Sequence, residues 1–179
     1  MPPLLGQVIA GLEAGPPAME ALGSLGVPEP RRAAESLRQA LEHPDLRETR
    51  DRWLPELLLT AQPGSGARCL GDLATRFRQT TGRPLDLPGS PALPLIVGNS
   101  HFLARLLLRH PNWAEETRGD PPPRPSGERI EADWTSIRLA KYRGLLRIVA
   151  RDLLGRPFKE SLRELTELAE LCLEAALRC

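Results

Sequence analysis

Leu139–Gly155, LAKYRGLLRIVARDLLG, and the Phe158–Cys179 stretch that follows, FKESLRELTELAELCLEAALRC, decide the fold of this chain. In the first, Leu139, Tyr142, Leu146, Val149 and Leu153 recur at steps of three and four, the spacing that lines residues along one side of a helix. Arg143, Arg147 and Arg151 recur every fourth residue on another side, a row of guanidinium groups that needs carboxylates or water. Gly155 then supplies a residue tolerant of positive φ, and Pro157 cannot continue the old helix, so a tight corner is expected. The second helix places Leu162, Leu165, Ala169, Cys172 and Ala176 on one stripe, widened by Leu168, Leu171 and Leu173. So broad an apolar face exceeds what the preceding helix can bury, and an uncovered strip that promotes self-association is expected on it, with Leu168 and Leu173 as its members to test.

Working outward, GNSHFLARLLLRHPNWAEE at 98–116 reads as a capped helix. Asn99 or Ser100 opens it, Phe102, Leu103, Leu106 and Leu107 face inward, and it ends at His110 before Pro111 begins a further short helix. This segment and the 139–179 pair together resemble the bacterial glutamine synthetase adenylyltransferases, bifunctional enzymes that add AMP to glutamine synthetase and remove it. Ser100, Phe102, His110, Pro111 and Trp113 match the family's pattern in order, and the likeness covers roughly residues 93–179.

The resemblance implies a parent enzyme that uses ATP and Mg2+ to adenylylate a tyrosine of glutamine synthetase, and phosphate to release AMP, under control of a PII signalling protein and glutamine. In that family the catalytic element follows the leucine-rich helix, as a glycine turn leading to a Ser-Asp-x-Asp strand. No Asp-x-Asp occurs in this sequence, which stops at Cys179. The expectation is therefore the amino-terminal helical portion of a longer nucleotidyltransferase, inactive alone, with no catalytic, cofactor-binding or metal-ligating residue of its own. The likeness also implies that Arg143, Arg147, Arg151 and Asp152 adjoin the absent nucleotidyltransferase domain. Read from the residues alone, the arginine row is a solvated or salt-bridged face, with Glu160, Glu164 and Glu167 as its partners. A free-standing helical interaction module of the same ancestry is the alternative.

The remaining sequence fits an all-α chain, an irregular bundle of about eight helices whose last two form a long antiparallel pair. Two short pieces, LLGQVIAGL and MEALGSLG, flank a helix-breaking stretch at Gly15–Pro17. A helix from Pro30 carries Ala33, Leu37, Ala40 and Leu41 inward until Pro44 ends it. Residues 46–61 follow, with Trp53, Leu57 and Leu58 inward and Pro55 either kinking a helix or standing just inside a new one. PGSGAR at 63–68 lacks the Gly-Lys-Ser/Thr of a phosphate loop, and 62–66 reads as a loop before a helix over 67–80, closed by Gly82. RPLDLPGSPA at 83–92 is irregular, and LPLIV at 93–97 fits either a buried helical turn or a strand and is assigned to helix. GDPPPRPSGE, 119–128, divides a short-helix region, 1–118, from a long helical pair, 129–179. The first helix of that pair starts near Glu128, carries Ile130, Trp134 and Ile137 on one side, and reaches Leu154, about 40 Å at 1.5 Å per residue.

Composition narrows the function classes. A formal net charge of +1 with interspersed signs gives no electrostatic footprint for nucleic acid. Of 24 basic residues only Lys141 and Lys159 are lysines, a compositional bias with no functional reading. Cys69, Cys172 and Cys179 form no CxxC pair, which fits a reducing, cytoplasmic setting. No stretch is apolar enough for a membrane span. His43, His101 and His110 lack metal-ligand spacing, and His43 and His110 precede prolines at helix ends. Ser100 beside His101 looks superficially like a nucleophile and base, but helical neighbours point to different sides, so Ser100 is read as a cap.

Overall fold

The architecture is set by a succession of helices, most of them opened or closed by a proline or glycine. The computed structural model describes residues 3–14, 17–118 and 130–179; the expected linker at 119–128, Glu128 as a helix start, and Gly15 and Pro16 lie outside them. Among the described residues there are ten α-helices and one 3₁₀ segment, and no strand. The chain divides into two compact units, residues 1–114 and 115–179.

In the first unit the helices are α1 (Pro3–Ala14), α2 (Pro17–Ser24), α3 (Pro30–Glu42), α4 (Pro44–Glu48), α5 (Arg50–Leu58), α6 (Pro63–Thr81), α7 (Ala92–Asn99) and α8 (His101–Arg109). Seven of the ten described α-helices start at or just after a proline, α1, α2, α3, α4 and α6 at it and α7 and the helix Phe158–Ala176 just after it; the missing N–H costs nothing in a first turn. Pro44 thus ends α3 and opens α4 in one step, which is part of why there are ten helices and not eight. The break expected near Pro55 falls at Thr49 instead, and Pro55 sits inside α5. The loop expected at 62–66 is likewise absent: Pro63 occupies the first helical position, and the Gly66 N–H already donates to Gln62 O at 2.9 Å. LPLIV lies within α7, the helical one of its two readings.

The core of this unit is aliphatic, with Leu37, Leu46, Leu54, Leu57, Leu70 and Leu73 almost fully buried around Trp53, whose indole N–H donates to Leu46 O at 2.8 Å. The buried carboxylate of Asp45 ties α4 to α6 through Arg78, whose Nε lies 3.2 Å from Oδ2. Glycines let the backbones close. A Cβ on Gly66 would stand 2.6 Å from Leu57 Cδ1 and 2.9 Å from Gly98 Cα, so α6 and α7 cross at backbone contact. Phe102, expected inside, is 51% exposed; on α8 the inward face is Leu103, Ala104, Leu106 and Leu107.

The second unit contains the end of the 3₁₀ segment Pro111–Thr117, then α9 (Trp134–Leu153) and α10 (Phe158–Ala176). Asp133 caps α9, its Oδ1 accepting from the N–H groups of Thr135 and Ser136 at 2.9 and 3.0 Å. The helix therefore begins at Trp134, after the non-helical residues 130–133, and spans about 30 Å. Trp134, expected inward beside Ile130 and Ile137, is the first residue of the helix and is 71% exposed. Gly155, at φ 88°, makes the expected corner, where Arg156 N–H returns to Arg151 O.

The inward face of α10 is not the stripe read from the sequence. Ser161, Glu164, Leu168 and Ala175 are buried, whereas Leu162, Leu165 and Ala169 are exposed. Leu168 is drawn in because Gly144 of α9 lies opposite it, and a Cβ there would meet its Cδ1 at 2.7 Å. Ile130, Ile137 and Ala175 make a small core near the end of α10, with Ala140, Leu171, Cys172 and Ala176 against it. On α9, only Leu146 of the expected stripe is fully enclosed, together with Ile137, Ile148, Ala150 and Arg151.

Replacing Gly66 with valine should drive a side chain into Gly98 and destabilise the first unit by about 2 kcal/mol. Urea unfolding followed by circular dichroism measures it; an unchanged midpoint would show that α6 and α7 are not in backbone contact.

Candidate interface of the last two helices

The arginine row reaches two carboxylates as it rises along α9. Arg143 and Arg147, one turn apart, both point at Glu116 of the 3₁₀ segment. Arg143 Nε donates to Glu116 Oε1 at 2.6 Å, Arg143 Nη2 shares that oxygen, and Arg147 Nε donates to Oε2 at 2.5 Å. One carboxylate thus closes a fork of two guanidinium groups. Burial alone would raise the Glu116 pKa, but the hydrogen bonds from Arg147 and Arg143 and their two charges outweigh it and hold the carboxyl below its ordinary 4.5.

Arg151, a turn further, is 4% exposed and pairs with the buried Glu164 of α10. Glu164 also accepts from Arg156 Nη1 at 2.8 Å, and Arg156 lies 3.6 Å from Glu160. Asp152 is exposed, and its Oδ1 accepts from the Ser161 hydroxyl at 2.8 Å. Of the partners expected on the following helix, Glu164 is engaged by Arg151, Glu160 is reached by Arg156 instead, and Glu167 lies near Arg163 at 3.6 Å.

Glu116 was not foreseen. It stands 27 and 31 residues before its two arginines. The only signal was an acidic pair, Glu115–Glu116, ahead of a proline-rich stretch, and spacing rules that work within a helix do not reach across such a gap.

The other sequence candidates are placed apart from this cluster. Ser100 caps α8, its Oγ accepting from Leu103 N–H at 3.3 Å, while Asn99 Oδ1 accepts from Ala61 N–H. His110 ends α8 and stacks on Trp113 with ring centroids 4.3 Å apart, and His43 joins α3 to α4 through main-chain hydrogen bonds. Burial pushes the Cys69 thiol up to about 12, with Asp72 adding to the shift and Arg76 opposing it, so it is an unreactive core thiol at neutral pH. No group of three or more His, Cys, Asp or Glu among the described residues could hold a metal ion. A cavity of about 340 Å³ opens between α3 and the start of α6, but Arg32 there is bonded to Glu29 at 2.6 Å and Arg68 reaches Ser36 Oγ at 3.3 Å. No described helix is long and apolar enough to cross a membrane. No family model, curated protein or solved structure matches the chain.

Two substitutions probe the cluster. Glu116→Gln removes a carboxylate whose folded pKa lies below its unfolded value, so the stability it contributes is present above pH 4.5 and is lost as pH falls through the lower folded pKa. Thermal unfolding should show a deficit of about 1–2 kcal/mol at pH 7 that shrinks below pH 4.5; a pH-independent deficit would contradict the fork. Glu164→Ala leaves Arg151 buried without its carboxylate and should cost about 3 kcal/mol, most of it recovered in the apolar double variant Arg151→Met/Glu164→Leu. Equal losses in the single and double variants would show that the pair is not coupled.

Proposed function

We propose that the chain is the helical amino-terminal part of a bifunctional glutamine synthetase adenylyltransferase and adenylyl-removing enzyme. The observation that carries this reading is the ordered pair of segments: Ser100, Phe102, His110, Pro111 and Trp113, then KYRGLLRIVARDLLG running through a glycine corner into a leucine-rich helix. In this reading α9 and α10 are an antiparallel pair that presents the next domain, and the work is cytoplasmic. ATP, Mg2+, glutamine synthetase and PII are engaged by the whole enzyme, whose nucleotidyltransferase domain supplies the metal-bound carboxylates that this sequence lacks. Of the four residues assigned to that domain's interface, Arg143 and Asp152 keep exposed surface and are the ones able to reach it, since Arg151 is enclosed with Glu164.

One observation favours the alternative of a free-standing interaction module. Phe158, Leu162, Leu165 and Leu173 form an exposed apolar strip along α10, a surface of the kind that receives another protein.

The reading predicts that the 179-residue chain transfers no labelled AMP to or from glutamine synthetase with ATP and Mg2+. It also predicts that the gene, read past the codon for Cys179, encodes a glycine turn and a Ser-Asp-x-Asp strand within about fifty residues, a catalytic domain of the metal-dependent kind. AMP transfer by the chain alone would overturn the first statement. A stop codon directly after Cys179 would overturn the second and leave the interaction module.

A further inference from the structure

The exposed side of α10 carries a pattern that its own fold does not use. Phe158, Leu162, Leu165, Ala169 and Leu173 follow one another at steps of four, three, four and four along one face, with Phe158 at 72% and Leu173 at 64% exposure. Ser161, Glu164, Leu168 and Ala175, which pack inward, lie on a different side of the same helix, so the strip is additional to the contact with α9.

Along the solvent edge of the strip run Lys159, Arg163, Thr166, Glu170 and Glu174, all exposed. Their order is basic toward the amino end and acidic toward the carboxyl end. That is the reverse of what the helix dipole favours, so these charges do not serve the isolated helix. Arg163 has a loose neighbour in Glu167 at 3.6 Å, both largely solvated, a contact worth little.

The order does suit an antiparallel copy. Lys159 with Glu174 and Arg163 with Glu170 are each symmetric about one point, between Thr166 and Glu167. Phe158 with Leu173 and Leu162 with Ala169 are symmetric about a point one residue away, between Leu165 and Thr166, about 1.5 Å along the axis. A two-fold axis there brings apolar residues onto apolar residues and sets every cation of the edge opposite an anion. Antiparallel packing also opposes the two helix dipoles favourably.

We propose that this face is a homodimer interface, in which α10 pairs antiparallel with α10 of a second copy about a two-fold near Leu165 and Thr166. The inference stands on the charge order and apolar register of α10 and not on the enzyme reading. The register explains why the face is both apolar and lined by charges of opposite sign at its two ends: the strip supplies burial, and the edge selects a partner that runs the other way.

Sedimentation equilibrium of the 179-residue chain tests it, with circular dichroism reporting the fold. The chain should be a dimer at about 100 µM. Leu165→Glu, an outward position, should give a folded monomer. Arg163→Glu should weaken association about ten-fold, and the charge-swapped double variant Arg163→Glu/Glu170→Arg should restore it. A monomer at that concentration would overturn the proposal, as would a dimer that persists in Leu165→Glu. Association indifferent to the charge swap would also overturn it, pointing to unspecific apolar contact or to another domain as the natural occupant. If Leu165→Glu fails to fold, the charge-swap series alone decides.

Discussion

The buried pairing of Arg151 with Glu164 is the constraint on which the second unit depends. Two opposite charges removed from water are tolerable only when they meet with good geometry, and removing either alone is costly. That requirement selects the face α10 turns toward α9. With Glu164 held inward, Ser161, Leu168 and Ala175 follow it on the same side, and Leu162, Leu165 and Ala169 are rotated outward. Gly144 completes the choice by leaving room for Leu168. The helix thus buries Ser161 and Glu164 beside Leu168 and Ala175 and leaves Leu162, Leu165 and Leu173 exposed, which hydrophobic patterning alone would not select.

Charge pairing and close backbone approach share the work differently in the two units. In the first, glycines at 64, 66 and 98 bring α3, α5, α6 and α7 together around an aliphatic core, and Asp45–Arg78 clamps α4 to α6. In the second, guanidinium groups spaced one turn apart form a ladder of ion pairs from Glu116 to Glu164, and the apolar core is small. A short unit with little to bury depends more on such pairs, and the stability that Glu116 contributes is lost as pH falls.

Helix ends were legible where a single cap or stop residue fixes them, and were missed at Thr49, Pro63 and Trp134. Ser100 as a cap, Gly82 and Gly155 as stops, and an all-helical chain all follow from residues acting within one turn. Facing was less legible. Apolar periodicity locates a stripe but cannot rank two stripes on one helix when the better hydrophobic one is left out for a buried glutamate. Phe102 and Trp134 were misplaced for a related reason: a residue in the first turn of a helix can escape the face its spacing suggests. The arginine row was visible, and Glu164 was among its expected partners. Glu116 was not, since its pairing is a tertiary contact with no periodic signature. The proposed function rests on the ordered likeness of two segments, a signal of ancestry and not of chemistry.

Native-state hydrogen exchange of the backbone amides tests most directly whether α9 and α10 are locked together through Arg151 and Glu164. The account predicts that amides of Leu146–Arg151 and of Glu164–Leu168 exchange in one cooperative opening, slower than the last turn of α10. Protected α9 amides beside freely exchanging amides at Glu164–Leu168 would contradict it, because α10 would then be opening without disturbing the pair said to hold it.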